Sequence, residues 1–167
     1  MSIVAFFRPL LRTTVAAGLV IATLSVAHSA PNACALLTAA ELSAAMGKPV
    51  AGSGSSVAGD GTPGCTYTFG GFDMVTVEIW QAPSAAEAQK KFSTELKGSR
   101  SDPNHKTTTV ESGLGEGAFA WTMDTGGLKI IGLSAVHGSR FITIGGMSDH
   151  PVPLDRLRGL MLKALSR

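Results

Sequence analysis

The side chains best suited to bind a soft metal lie close together in the run Met147-Ser148-Asp149-His150. A thioether three residues from an imidazole is a spacing that suits Cu(I). A chain beginning at His28 would add a second candidate, since an N-terminal histidine offers its amine and its imidazole together. Each is only part of a site, and Met147 is equally suited to filling a core. We therefore predict no metal centre and no cofactor, with Met147, His150 and His28 as the only candidate ligands.

The common catalytic motifs do not occur in the sequence. Gly113-Leu114-Gly115-Glu116-Gly117 lacks the spacing of a dinucleotide fingerprint and leads into a predicted strand rather than a helix, so it predicts a tight turn. No catalytic residue is identified. A hydrolase assembled only in the fold stays open as an alternative. Its signature would be a pocket with a Ser or Asp within hydrogen-bond reach of His105, His137 or His150.

Aromatic side chains offer a possible binding surface. Trp80 and Trp121, with Tyr67 and Phe69, all lie in predicted strands, where a core position is the alternative. Phe72 lies at a predicted hairpin turn, and we expect it to be exposed.

The N-terminal segment has the three parts of a secretory signal. Arg8 and Arg12 precede an apolar run, residues 13–27, and small residues follow. The run is shorter than the ~20 residues that a membrane span requires. We predict a signal peptide over residues 1–27 and a mature chain from His28, with cleavage after Ala30 as the alternative. The mature protein would then be periplasmic or secreted, with no stable membrane anchor.

The chain has two cysteines, Cys34 and Cys65, and both follow the predicted signal. An even pair in an oxidising compartment predicts a disulfide, with two free thiols as the alternative. The chain-entropy model assigns a bond closing this loop ~3.7 kcal/mol of stability.

The charge balance limits the classes of partner. The chain has 14 Lys+Arg and 12 Asp+Glu, but Arg8 and Arg12 belong to the predicted signal, so the mature chain is formally neutral. Nucleic-acid-binding domains normally carry a basic patch or stripe. We therefore expect no nucleic acid, and an unknown protein or small molecule as partner.

The first predicted elements are a short helix and a loop. Thr38 and Glu41 form a capping box, and Gly47 ends the helix, which predicts residues 39–46 as helical. Residues 51–64 are rich in glycine and serine and have too little apolar surface to fix their own shape. We predict a flexible loop there.

A change to period-two alternation follows the loop. Cys65–Phe69 and Val75–Ile79 predict a β-hairpin. Ser84 begins a second helix that ends at Gly98, and the polar residues 99–106 predict an exposed connection.

The rest of the chain predicts strands and a last helix. The helix spans residues 151–165, and the strands are 107–111, 118–123, 128–136 and 141–146. This order predicts one α+β domain over residues 28–167. Its antiparallel sheet would have about five or six strands, covered on one face by two or three helices.

Short runs in the chain carry a resemblance to a known group of proteins. They are Cys34-Ala35-Leu36-Leu37-Thr38, Glu41, Met46-Gly47, Pro49-Val50, Cys65-Thr66-Tyr67 and Gly113-Leu114-Gly115-Glu116-Gly117-Ala118. In these runs the chain resembles small exported bacterial domains of unknown function, a group that includes many actinobacterial lipoproteins. The resemblance implies a disulfide-tied α+β envelope protein without established enzymatic activity. It does not carry over lipid attachment, because no apolar residue stands three places before Cys34.

These observations predict a small exported binding or accessory module of unknown ligand. The alternatives are a small envelope hydrolase and, ranked lower, a copper or other metal carrier.

Overall fold

The computed structural model describes residues 32–167, so the predicted signal (residues 1–27) and His28 lie outside the described part of the chain. A short 3-10 turn, Ala33–Ala35, precedes three helices: α1 (Ala39–Met46), α2 (Ala85–Ser101) and α3 (Leu154–Leu165). None of these helices is both long and apolar enough to cross a membrane. The strands are β1 (Gly52–Val57), β2 (Pro63–Thr68), β3 (Met74–Gln81), β4 (His105–Glu111), β5 (Gly117–Thr125), β6 (Leu128–His137) and β7 (Arg140–Ser148).

The strands form a single antiparallel sheet in the order β1-β2-β3-β7-β6-β5-β4. It consists of two meanders, β1–β3 and β4–β7, which join where β3 pairs with β7. The predicted α+β class and antiparallel sheet are confirmed. The sheet has seven strands, slightly more than the predicted five or six.

One face of the sheet packs against α1 and α3. Alternate residues of the central strands, such as Val77 of β3 and Ile144 of β7, are fully buried there together with Leu42 of α1 and Leu157 of α3. The period-two pattern therefore produces the larger core directly, because successive strand side chains point to opposite faces.

Helix α2 packs on the opposite face, so the expectation that the helices cover only one face is wrong. Phe92 of α2 meets Phe119 of β5 edge to face, with ring centroids 5.7 Å apart. The neighbours of Phe119, Ala118 and Ala120, belong to the core under α1 and α3. Strands β6 and β7 carry large apolar side chains on both faces, and both faces must therefore be covered.

The prediction of a flexible loop over residues 51–64 is wrong for the first half of this segment, because residues 52–57 form β1. This edge strand pairs residue by residue with β2, from Gly52 opposite Thr68 to Val57 opposite Pro63. This pairing is made by backbone hydrogen bonds and does not require apolar side chains. Gly64 also leaves room for Ser56, because a Cβ at residue 64 would lie only 2.6 Å from the Ser56 hydroxyl. Residues 58–62 alone form the connection.

The disulfide is present between Cys34 and Cys65, whose Cα atoms are 5.0 Å apart. Beside it, the buried Tyr67 hydroxyl donates a hydrogen bond to the Leu37 carbonyl at 2.9 Å. Both contacts hold the segment before α1 against β2. The predicted capping box of Thr38 and Glu41 is confirmed.

Candidate functional site

A groove of about 430 Å³ lies between α2 and the connection from β1 to β2. It forms because α2 packs over β4–β7 and leaves the same face of β2 and β3 largely uncovered. We call it the α2 groove. Its walls are residues 58–60 and 62 on one side and α2 residues with Asp102 on the other, and its floor is the sheet.

The floor of the α2 groove is polar at the centre of the sheet. Glu78 of β3, Thr143 of β7 and Ser134 of β6 stand side by side in register. The hydroxyls of Ser134 and Thr143 are 2.9 Å apart, and their hydrogen bond uses one of their two hydrogens. The second hydroxyl hydrogen has no acceptor among residues 32–167. It is therefore available to a bound molecule or to water.

A second hollow of about 250 Å³ continues from the α2 groove and forms its apolar part. Met74, Ile130 and Met147 line it, and a Cβ built on Gly145 in its floor would meet no atom within 4 Å. Glu78, Thr143 and Trp121 line both hollows, so these residues mark where the polar part of the groove meets the apolar part.

Trp121 is held in place from two sides. Its indole lies directly over Gly132 of the neighbouring strand, where a Cβ would collide with the ring. The imidazole of His105 stacks on it with ring centroids 4.7 Å apart and planes 8° from parallel. The indole is thus a preorganised part of the groove.

Lys91 connects the two walls of the groove. Its ammonium donates hydrogen bonds to Asp60 at 3.0 Å and to Glu95 at 3.2 Å, and lies 5.4 Å from the centre of the Trp80 ring. Burial alone would lower the pKa of Lys91, but these two carboxylates outweigh it and raise the pKa. Hydrogen bonds from Thr62, reinforced by Lys91, lower the pKa of Asp60 to about 2. Lys91 is therefore charged at neutral pH and already bonded to two carboxylates.

Glu78 differs from the other carboxylates of the groove because it has no hydrogen bond or ion pair with any residue that the structure describes. Burial, and next the negative charge of Asp60, raise its pKa, whereas Lys91 opposes the rise. A half-buried carboxylate on a central strand normally has a partner. An uncompensated acceptor is therefore present on the floor of the groove.

Ser99 and His105 meet the distance criterion for the hydrolase alternative. The His105 Nδ1 atom lies 2.8 Å from the Ser99 hydroxyl, in the wall of the groove. It also lies 3.0 Å from the Ser99 carbonyl oxygen, which only accepts, so the hydrogen-bond network assigns the hydrogen to Nδ1. Asp102 is 3.8 Å from Nε2, beyond hydrogen-bond range. With its hydrogen on Nδ1, His105 has no lone pair facing the Ser99 hydroxyl, so it cannot act as the base for Ser99 in this arrangement.

The connection predicted over residues 99–106 is shorter than expected and covers only residues 102–104, although five of the eight residues are exposed as predicted. Helix α2 continues to Ser101, and Ser99 is buried against β4 through a hydrogen bond with Thr108. His105 already belongs to β4. The burial of Ser99 was not predicted because its hydrogen bonds to His105 and Thr108 cannot be seen in the sequence.

The candidate metal ligands are not brought into a common site. Met147 lines the apolar hollow, whereas the His150 side chain is 89% exposed, with Nδ1 3.6 Å from the neighbouring Asp149 carboxylate. Across residues 32–167, no group of three His, Cys, Asp or Glu residues is arranged to hold a metal ion. His28 lies outside the described residues.

The aromatic candidates divide between the two faces. Tyr67 and Phe69 are buried in the core under α1 and α3, whereas Trp80 and Trp121 are half-buried on the α2 side. Phe72 is 67% exposed, as expected. The sequence did not single out Glu78, Lys91 or Asp60, since each resembles an ordinary surface charge.

Comparison of the chain with protein-family models found no match, and comparison with curated proteins found no similar relative. The resemblance to small exported bacterial domains therefore stays a prediction.

Gly132→Ala is expected to destabilise the protein by about 1–3 kcal/mol, because the new methyl group overlaps the Trp121 indole. Urea unfolding measures the loss of stability, and the tryptophan emission spectrum reports the displacement of the Trp121 indole. Gly145→Ala is the matched control, since Gly145 pairs with Gly132 in the sheet but has open space at its Cβ. Equal stability of the two variants would contradict the assigned position of the indole.

Proposed function

We propose that this protein is an exported small-molecule binding module whose ligand occupies the α2 groove. The observation that carries the proposal is the groove itself, with unpaired hydrogen-bonding groups on a floor held by regular strands. Its volume of about 430 Å³ lies within the ~300–1,000 Å³ of typical ligand sites. Binding sites built on strands are also more rigid than sites built on loops.

A periplasmic or secreted location is part of this proposal. It is supported by the disulfide between Cys34 and Cys65, since such bonds persist mainly in oxidising compartments. The signal-like sequence of residues 1–27 supports the same location.

Binding is better supported than hydrolysis by the geometry of the groove. A serine hydrolase needs a base that accepts the hydroxyl hydrogen, whereas His105 Nδ1 donates to Ser99. Glu78 and the Ser134–Thr143 pair, by contrast, have unused hydrogen-bonding capacity that suits recognition of a bound molecule.

The proposal predicts that filling the groove abolishes ligand binding. A library of small polar and amphipathic molecules is screened against the ¹⁵N-labelled protein, and the two tryptophan indole N–H signals report binding. Gly145→Val is expected to abolish the shifts produced by the hits, because its side chain projects into the open apolar part of the groove.

Gly54→Val is the matched control, since Gly54 is an exposed strand residue with open space at its Cβ and lies outside the groove lining. Hits that bind the Gly145→Val variant as well as the unmodified protein would place the ligand elsewhere. A screen without a hit would count against a small-molecule function.

A further inference from the structure

We propose that the ligand of the α2 groove is a small organic cation: a primary amine whose ammonium group pairs with Glu78 and whose apolar body lies in the adjoining hollow. This inference rests on the proposed function and specifies its ligand.

Glu78 carries a carboxylate that is paired with no described residue. Its carboxylate lies on the central strand β3, between Gly64 on one side and Thr143 on the other, and neither residue carries a charge. Partial burial of a carboxylate is unfavourable unless a cation or hydrogen-bond donors compensate for the lost water. Along the described chain, no side chain forms a hydrogen bond or an ion pair with Glu78, and Lys91 offsets its charge only from a distance.

Lys91, the ammonium group in the groove lining, forms no ion pair with Glu78. Its ammonium is already bonded to Asp60 and Glu95, which lie across the groove from each other. The groove lining contains four carboxylates and this one ammonium, so an entering molecule meets an excess of negative charge. That excess favours a cation and disfavours an anion, because opposite charges attract more strongly in a partly desolvated site than in water.

The apolar hollow beside Glu78 determines the shape of the complementary molecule. The hollow next to Glu78 is walled by Met74, Ile130 and Met147, and the Trp121 indole separates it from the α2 end of the groove. Methionine side chains adapt to apolar groups of various shapes. A molecule with its ammonium at Glu78 would therefore bury an alkyl or aromatic body there. The spare hydroxyl hydrogen of the Ser134–Thr143 pair gives a neutral donor for a further polar group.

The test uses three probes of nearly equal size that differ in charge: 2-phenylethylamine, 2-phenylethanol and 3-phenylpropionate. Each is titrated into the full chain at pH 7, and the indole N–H signals are followed. The amine is expected to bind roughly 10- to 100-fold more tightly than the alcohol, the difference supplied by one charge-assisted hydrogen bond. The carboxylate is expected to bind more weakly than the alcohol.

Glu78→Gln is expected to reduce the affinity for the amine to that for the alcohol and to leave the alcohol unchanged. Glu87→Gln is the matched control, because Glu87 is an exposed glutamate of α2 outside the groove lining. A full effect of Glu78→Gln with none from Glu87→Gln assigns the contact to Glu78.

A stability measurement shows that the Glu78→Gln variant is folded and tests the charge directly. The pKa of Glu78 is raised in the folded protein, with Asp60 and Glu95 adding to burial and Lys91 opposing it. Ionisation of Glu78 therefore disfavours folding at neutral pH, and the neutral glutamine should raise the midpoint temperature at pH 7. Below about pH 4, where the carboxyl is protonated in both states, the gain should disappear.

The outcomes separate the two proposals. Equal affinity for amine and alcohol, preference for the carboxylate, or unchanged amine binding by Glu78→Gln would overturn the assignment of an amine while a groove ligand still stands. Failure of all three probes to bind at millimolar concentration would also overturn it. The proposed binding function is rejected separately, by the library screen and the Gly145→Val variant.

Discussion

Phe92→Ala is expected to lower the free energy of unfolding by about 3–5 kcal/mol. The Phe92 side chain is 8% exposed and meets Phe119 edge to face. Its ring also lies against the backbone of Gly117, where a Cβ would be 3.1 Å from the Phe92 Cζ atom. Truncation would leave a cavity beside Phe119 and Gly117. These two residues cannot move in to fill it, because both belong to strand β5 of the sheet. Urea unfolding at pH 7 measures the change.

Phe72→Ala is the control for this prediction, because Phe72 is 67% exposed at the turn between β2 and β3. Its change should stay within about 0.5 kcal/mol. A loss below about 1 kcal/mol for Phe92→Ala would mean that α2 is only loosely held on the sheet. The α2 groove would then lack a rigid wall.

Removal of the disulfide is expected to lower stability by about 2–5 kcal/mol. The bond joins residues separated by 31 positions, for which the loss of unfolded-state entropy alone corresponds to ~3.7 kcal/mol. Cys65 is fully buried, so the double variant Cys34→Ala/Cys65→Ala also loses packing contacts. Urea unfolding of the double variant and of the reduced wild-type protein gives the two values.

Reductant should reproduce most of the loss in the wild-type protein and have no effect on the double variant. Thiol titration of the folded protein is the direct check, and two reactive thiols per chain without reductant would refute the bond. The Tyr67 hydroxyl would then be the remaining polar tie between β2 and the segment before α1 that is described above.

Local signals in the sequence were sufficient for most helices and strands. Thr38, Glu41 and Gly47 define α1 because capping is a contact between residues three or four places apart. The β2–β3 hairpin was predicted from period-two alternation and a glycine turn, which are likewise local signals. Strand β1 was missed because its stability comes from backbone pairing with β2, and its own side chains carry no apolar pattern.

The candidate site was much less accessible to sequence reasoning. Glu78, Thr143 and Ser134 become neighbours only through the pairing of β3 with β7 and of β7 with β6. Glu78 alternates with valine and isoleucine, which is also the pattern of a strand with one face in water. Whether that face carries a groove depends on where α2 packs. The position of α2 is fixed by the contact of Phe92 with Phe119, which belongs to a later strand.

The pairing of β3 with β7 also bears on the order in which the protein assembles. Every other strand pair joins strands that are consecutive in the sequence, whereas the pairing of β3 with β7 brings Gln81 next to Arg140. Closing a loop of roughly 60 residues is about 2.4 kcal/mol less favourable than closing a four-residue turn. The disulfide joins two residues that precede β3, so it does not shorten the loop between β3 and β7. Glu78 and Thr143 stand on opposite sides of this junction, so a molecule bound to both would stabilise the pairing of the two halves.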